Sequence, residues 1–300
     1  MKNSQNFSQE LNGAFDLSIS RKPGIQHFFM QTQFIHIGFD GRRTGSESYM
    51  LKLRCTPGEL LGEKLDQYTC HEFGLQLDDK NITTIPALKL WDYQFDLMSG
   101  INEGSVFGIP HEQFEDLVDS KGNRLTPDIR YAVYNNFIDF HSLNDIFSRP
   151  MFGKGIEQLK NIGNRIVHAS AFIETPLSLG TAIKPGSVFK NGEVTLELKG
   201  ISVVNGSACA LVGYDSGEST LKMTLALSNN QDAITEGGSE YKGDIYIDLE
   251  TGWVKKATLD EFVVTETKTT SETTKTHQYS VRHLFLRLIS EQEFKRGLVS

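Results

Sequence analysis

The residues of this chain that could act as catalysts or metal ligands are scattered along the sequence. Its eight histidines form none of the spacings HxxxH, HExxH or HxH that bring two ligands to one metal ion. His277 and His283 share one side of a predicted strand, but at about 3.3 Å per residue they lie roughly 20 Å apart. The local pair His111 and Glu115 is interpreted as an exposed helix side. We therefore predict no metal site and no cofactor.

Motifs for nucleophilic catalysis and nucleotide binding are also missing from the sequence. No GxSxG pentapeptide occurs, and the nearest approach to a glycine-rich loop, at 153–155, has Gln158 in place of its third glycine. His141 is predicted to lie at the end of a helix, where an imidazolium complements the helix dipole. We assign no catalytic residue, and the sequence favours a protein that is not an enzyme.

Charge and hydropathy argue against several other classes of protein. With 30 basic and 38 acidic residues, the chain lacks the positive surface that binds nucleic acid. Charged residues interrupt every apolar run well before the roughly 18–20 residues of a membrane-spanning helix. Residues 1–10 have no apolar segment typical of a signal peptide. This predicts a cytoplasmic protein, or a periplasmic or secreted one if a leader was trimmed.

The three cysteines leave two interpretations open. If 61–64 formed a two-residue turn, Cys55 and Cys70 would face each other across a hairpin and a disulfide could form. That register places Pro57 at a ladder position that needs an N–H group. The other interpretation is a pair of buried thiols.

Strands followed by helices are predicted in the first half of the chain. Apolar residues on both faces of 26–39 predict a strand covered on two sides, and 48–55 and 67–77 predict two more strands. A short helix is predicted at 111–118. A longer helix is predicted at 127–140, with Thr126 as its N-cap and proline at its first position.

The longer helix carries the predicted site. Its apolar residues recur at helical spacing and form a face that can lie on a sheet. The chain has 19 phenylalanines and 2 tryptophans, a composition typical of an apolar core or cavity rather than a sugar-binding face. We predict that Tyr134, Phe137 and Phe140 line an apolar cavity. The expected ligand is an apolar small molecule or lipid.

An antiparallel meander is predicted in the second half of the chain. Its strands are predicted at 193–198, 208–214, 220–227, 244–248, 253–264 and 279–288. Threonine dominates 265–276, which is predicted to be the exposed tip of a long hairpin that leaves the body of the fold. The segments 39–53 and 214–223 are similar and each is read as a hairpin, so either a duplication or two independent hairpins explains them.

One hairpin resembles a known kind of protein. Residues 241–254, YKGDIYIDLETGWV, read as glycine, strand, aspartate, turn, glycine and strand. The pattern resembles a hairpin of uncharacterised bacterial cell-envelope proteins, which are distantly similar to periplasmic lipoprotein carriers. The resemblance implies a curved antiparallel sheet with helices on its concave side, an apolar cavity between sheet and helix, and a location in the cell envelope.

Together these patterns predict an α+β fold that is mainly antiparallel β, with curved sheets or an open half-barrel and a few helices packed against it. We divide the chain into a flexible N-terminal segment (1–20), a β-rich half with both helices (21–150) and a β-rich half with the Thr-rich hairpin (151–300). The favoured function is a non-enzymatic binding or carrier protein. The alternatives are a hydrolase or isomerase whose site is assembled from separate strands, and a surface or interaction module that uses the 265–276 hairpin.

Overall fold

Antiparallel β-structure dominates the protein. The computed structural model describes residues 15–18, 20–78, 80–102, 104–151, 153–176, 183–227, 231–270 and 275–298. Throughout these ranges, strand pairs are antiparallel. The prediction of a mainly antiparallel α+β fold is confirmed.

The strands fall into an N-terminal set and a C-terminal set. The N-terminal strands are β1 (Gln26–Ile37), β2 (Arg43–Thr56), β3 (Gln67–Leu77), β4 (Thr83–Thr84), β5 (Trp91–Gln94), β6 (Ile101–Asn102), β7 (Ser105–Val106) and β8 (Ile109–Pro110). The C-terminal strands are β9 (Arg165–Ala169), β10 (Phe172–Glu174), β11 (Val188–Asn191), β12 (Val194–Val204), β13 (Ser207–Asp215), β14 (Ser219–Ala226), β15 (Asp232–Asp248), β16 (Val254–Thr269) and β17 (Lys275–Leu288).

Besides three short 3-10 helices (Pro86–Leu88, Leu97–Ser99 and Ile156–Gln158), the described chain contains a few α-helices, most of them short. They are α1 (Gly58–Leu61), α2 (Glu112–Glu115), α3 (Pro127–His141) and α4 (Glu291–Lys295), and a π-helical turn (Ser142–Ile146) continues α3. Helix α3 begins with Pro127 as predicted, but the Thr126 side chain makes no capping hydrogen bond. Within the described ranges, no helix has the length and apolar character needed to cross a membrane.

A single sheet of 14 strands joins both ends of the chain. Its main path runs in the order β10-β11-β14-β15-β16-β17-β1-β2-β3-β4, so the pairing of β1 with β17 connects N-terminal and C-terminal strands. The strands β6, β7 and β8 form a separate small sheet.

Strand β15 is the point at which the sheet forks. Along one edge it pairs with β16 over most of its length. Along the other edge its first part pairs with β14, ending at Ser239, and its last part pairs with β13, starting at Lys242. One branch continues from β14 to β11 and β10, and the other continues from β13 to β12 and β9. We call the segment 239–242 the fork.

The main core is built around the aromatic residues of α3. The Phe137 ring stacks on Phe73 at 5.9 Å and meets the edges of Trp91 at 5.4 Å and Phe114 at 5.4 Å between ring centroids. Phe140 packs edge-on against Phe28 at 5.3 Å. Because such rings bury large apolar areas, this cluster fixes α3 against the sheet.

Two interpretations of the C-terminal half need correction. The Thr-rich segment forms the end of the long β16–β17 hairpin, as predicted, but this end does not stand free, because Thr265–Thr269 pairs with Ala233–Gly237 of β15, which in turn pairs with β14. Residues 271–274 of its tip lie outside the described residues. The segment 214–223 is not a hairpin like β1–β2: β13 and β14 both pair with β15, and no pairing joins them in the described sheet.

The cysteines are free and buried, which excludes the disulfide. Helix α1 occupies the loop between β2 and β3, so that loop is much longer than a two-residue turn. The resulting register pairs Cys55 with Tyr68 and Cys70 with Leu53. The two thiols are therefore not opposite each other.

Candidate functional site

A cavity of about 310 Å³ lies between α3 and strands of the C-terminal half. Its α3 wall consists of Tyr131, Tyr134, Asn135 and Ile138, with Ser142 of the π-helical turn. Residues spaced by three or four positions fall on one side of a helix. Because Phe137 and Phe140 face the aromatic core, this stripe is a second face of the same helix. Helix α3 is thus shared between the core and the cavity.

The opposite wall comes from both branches of the sheet. The branch that leaves β15 through β14 contributes Phe172 and Glu174 from β10 and Phe189 and Asn191 from β11. The other branch contributes His168 and Ala169 from β9 and Val194 from β12. Tyr241 lies within the fork and also lines the cavity. The cavity therefore occupies the space into which the two branches diverge.

Apolar side chains at the edge of the cavity are open to solvent. Ile101 is 51% exposed, Phe172 is 44% exposed and Tyr131 is 41% exposed. A group of exposed apolar side chains around a concave surface is typical of a binding site, because each one exposes apolar area to water when the site is empty.

The structure separates the three residues predicted from the sequence. All three are at most 1% exposed and belong to the core, and of the three Tyr134 alone also lines the cavity. The second stripe of α3 was missed because the apolar pattern was read as a single face. The sequence signal for this second face is the pair Tyr131 and Ile138, whose large side chains do not lie on the face that packs in the core.

Several polar side chains interrupt the apolar lining of the cavity. Burial raises the pKa of the Tyr134 hydroxyl, and no described side chain or carbonyl accepts its proton. Burial lowers the pKa of His168, whose ring packs edge-on against Phe147 at 5.4 Å. The Asn191 side-chain amide donates to Glu174 Oε1 at 3.0 Å. Polar groups in a mainly apolar site orient a ligand rather than supply most of its binding energy.

The sequence predicted that His111 and Glu115 form an exposed helix side, and the structure places His111 differently. His111 is only 8% exposed and its ring lies edge-on to Tyr134 at 5.3 Å, so it is not part of an exposed helix side. Burial lowers the pKa of this imidazole. Its role is to pack beneath the residue that lines the cavity.

A buried polar cluster around Asp145 is the other unusual group of side chains. The carboxylate accepts hydrogen bonds from Arg21 at 2.8 Å, from Tyr68 at 2.9 Å and from His141 Nδ1 at 2.7 Å. Arg149 forms a further ion pair with it at 2.8 Å. Asp145 lies four residues after His141, in the π-helical turn that continues α3, and this spacing brings the two side chains together. We call these five residues the Asp145 cluster.

The charges of the Asp145 cluster explain its titration. Burial alone would raise the pKa of Asp145, but the guanidiniums of Arg149 and Arg21 outweigh it and hold the pKa well below its usual range. Burial lowers the pKa of His141, so the imidazole is neutral at pH 7. Since Nδ1 donates to Asp145, Nε2 accepts a hydrogen bond from the Tyr93 hydroxyl at 2.8 Å.

The order tyrosine, histidine, aspartate looks like a catalytic relay, but it is enclosed. The side chains of His141 and Asp145 are 0% and 1% exposed. The imidazole stacks on Phe95 at 4.1 Å and packs edge-on against Tyr68 at 4.6 Å. A general base must reach the proton that it abstracts. The geometry instead makes the cluster an anchor that ties the N-terminal segment and the end of α3 to the sheet.

Comparisons with known proteins establish no family for the chain. No protein-family profile and no curated protein matches it. Among solved structures, a loop-deletion mutant of OmpT, an outer membrane protein of Vibrio cholerae, has 8% identity and a TM-score of 0.18 over 88% of this chain and 99% of that one. In-vitro folded OmpT in its trimer form has 7% identity and a TM-score of 0.14 over the same shares. Scores this low do not establish a shared fold.

The described residues also contain no group of three or more His, Cys, Asp or Glu side chains arranged to hold a metal ion.

Proposed function

We propose that this protein binds an apolar small molecule or lipid in the cavity between α3 and the fork, and acts as a binding or carrier protein. The observation that carries the proposal is the cavity of about 310 Å³, whose walls are mainly apolar and whose edge exposes Ile101, Tyr131 and Phe172. The resemblance of the hairpin at 241–254 to cell-envelope proteins implies a cavity of the same kind.

The size of the cavity supports a small guest. Ligand sites in proteins occupy roughly 300–1,000 Å³, so a volume of about 310 Å³ suits one short acyl chain or a small ring system. Burial of apolar area contributes about 25 cal/mol per Å². A guest that fills the space between the two branches also covers the exposed aromatic side chains at its edge.

Filling the cavity tests the proposal. The substitution Ile138→Trp places an indole in the cavity, whereas Ile173→Trp changes a 65% exposed side chain between two cavity-lining residues of β10. Because side chains alternate along a strand, Ile173 lies on the opposite face of β10. Each purified protein is titrated with the neutral apolar probe N-phenyl-1-naphthylamine and analysed by native mass spectrometry.

We expect the unaltered protein and the Ile173→Trp variant to bind the probe equally. We expect the Ile138→Trp variant, with its circular dichroism spectrum unchanged, to bind at least about tenfold more weakly. Equal affinity in all three proteins, or absence of binding to the unaltered protein, would overturn the proposal.

A further inference from the structure

We propose that the cavity selects ligands whose polar end is positively charged, an amine or a quaternary ammonium group. This inference rests on the proposed function and specifies its ligand. It follows from the charges and aromatic rings that line the cavity together with those behind its wall.

Among the described residues that line the cavity, Glu174 is the one with a carboxylate side chain. The lining residues that the structure describes include no lysine or arginine. His168 lines the cavity as well, but burial lowers its pKa and leaves it neutral. Among the described residues, Glu174 accepts a hydrogen bond from a neutral amide, that of Asn191, and forms no salt bridge. A partly buried carboxylate beside an apolar space attracts a cation more strongly than one in water does.

A second group of charges lies behind the cavity wall. Arg282 forms ion pairs with Asp139 of α3 and with Glu261 of β16, so two carboxylates share one guanidinium. Tyr241, which lines the cavity, lies close to all of these charges: burial and Asp139 raise its pKa to about 12, and Arg282 opposes the rise. Two carboxylates against one guanidinium leave one net negative charge behind this wall, in addition to that of Glu174. An anionic head group such as a carboxylate is repelled there.

Aromatic rings supply the remaining part of a cation site. Tyr131, Phe172, Phe189 and Tyr241 all line the cavity that contains Glu174. The face of an aromatic ring carries negative charge, and several such faces around a quaternary ammonium group are a common mode of recognition. A ring also contacts the methyl groups of such a head group without removing hydrogen bonds from it.

Ligands with one chain and three head groups test the inference. Octyltrimethylammonium, octanol and octanoate each compete with N-phenyl-1-naphthylamine at pH 7, on the full-length protein. The variants are Glu174→Gln, Glu174→Lys and the control Glu59→Gln, which changes an exposed carboxylate of α1 that does not line the cavity.

We expect octyltrimethylammonium to bind about tenfold tighter than octanol, and octanoate to bind most weakly. Glu174→Gln should remove most of the preference for the ammonium ligand without changing the affinity for octanol, and Glu174→Lys should favour octanoate. The Glu59→Gln variant should behave like the unaltered protein.

The possible failures separate the two proposals. If the probe binds and the three ligands compete equally, if octanoate binds best, or if Glu174→Gln keeps the full preference, the cation site is wrong while the apolar cavity stands. If the probe does not bind the unaltered protein, the proposed function itself is overturned, and the cation site with it.

Discussion

Replacing Asp145 by asparagine removes the central charge of the Asp145 cluster with almost no change in volume. The carboxylate is 1% exposed and lies 2.8 Å from both Arg21 and Arg149. In the Asp145→Asn variant these two guanidiniums remain close together without their shared anion. The amide oxygen can accept from only part of these donors, and the amide NH2 group faces the others, so the substitution removes both the charge and at least one hydrogen bond.

The cost of this change is large because the site is buried. Removing one partner of a buried ion pair costs about 3–5 kcal/mol. Domains are stable by only about 5–15 kcal/mol, so the Asp145→Asn variant should lose a substantial part of the free energy of unfolding. The exposed pair Asp116–Arg124, with side chains 80% and 68% exposed, provides a control: Asp116→Asn removes the same kind of group at the surface and should cost less than about 1 kcal/mol.

The pH dependence gives the prediction a second observable. The pKa of Asp145 is depressed in the folded protein, so its contribution to stability is present above the unfolded value of 3.8 and is lost as the pH falls through the folded value. The pKa of His141 is also lowered, so its contribution is present above 6.5 and is lost as the pH falls below that value. The Asp145→Asn variant should keep the loss due to the imidazole and lack the steeper loss below pH 4.

Urea denaturation, monitored by tryptophan fluorescence between pH 3 and pH 8, measures the free energy of unfolding and its dependence on pH. A loss of less than about 1 kcal/mol at pH 7, or equal losses for Asp145→Asn and Asp116→Asn, would refute the argument that burial makes this cluster important for stability. Unchanged acid sensitivity in Asp145→Asn would show that the carboxylate is not the group responsible.

Other perturbations test the packing around the same elements. In urea denaturation, Phe137→Ala should lower the free energy of unfolding by about 3–5 kcal/mol, because the ring is fully buried. Tyr131→Ala, on the outer side of α3, should lower it by less than about 1 kcal/mol. Similar losses in the two variants would contradict the conclusion that α3 has two different faces. Gly243→Ala should lower the melting temperature and cost about 1–3 kcal/mol, since its Cβ would collide with a backbone carbonyl of β16; an unchanged melting temperature would refute that close approach. The three cysteines should resist a thiol reagent in the folded protein and react in urea, because burial raises their pKa values, that of Cys209 to about 11; rapid labelling of the folded protein would contradict their burial.

Local sequence patterns predict those parts of the fold in which the spacing of apolar side chains shows which face of a strand or helix is buried. The strand 67–77 and the helix beginning at Pro127 agree closely with the structure because their apolar periodicity and end signals are strong. The larger first part of β15, Asp232–Gly243, was missed because it contains polar residues and two adjacent glycines in place of an alternating pattern. Backbone pairing with β14 on one side and β16 on the other holds it in the sheet.

Long-range partners explain what the sequence could not show about the site. Arg21 meets Asp145 across 124 positions, and no local spacing indicates this contact. The pairing of β13 and β14 with β15, rather than with each other, is likewise set by distant residues. By contrast Tyr134, placed in the cavity by the structure, lies on a helix whose two apolar stripes are both visible in the sequence once each is considered separately.

In β15, a fixed number of residues separates the part that pairs with β14 from the part that pairs with β13, and this number decides which face of each branch points to the same side of the sheet. Ser239 ends one ladder and Lys242 begins the other. One extra residue between them would leave the pairs within each ladder possible, yet it would turn every side chain of one branch to the opposite face. His168 and Phe189 would then no longer point toward the same helix. Chain length at this junction thus governs which side chains line the cavity, even though the junction itself supplies only one of them.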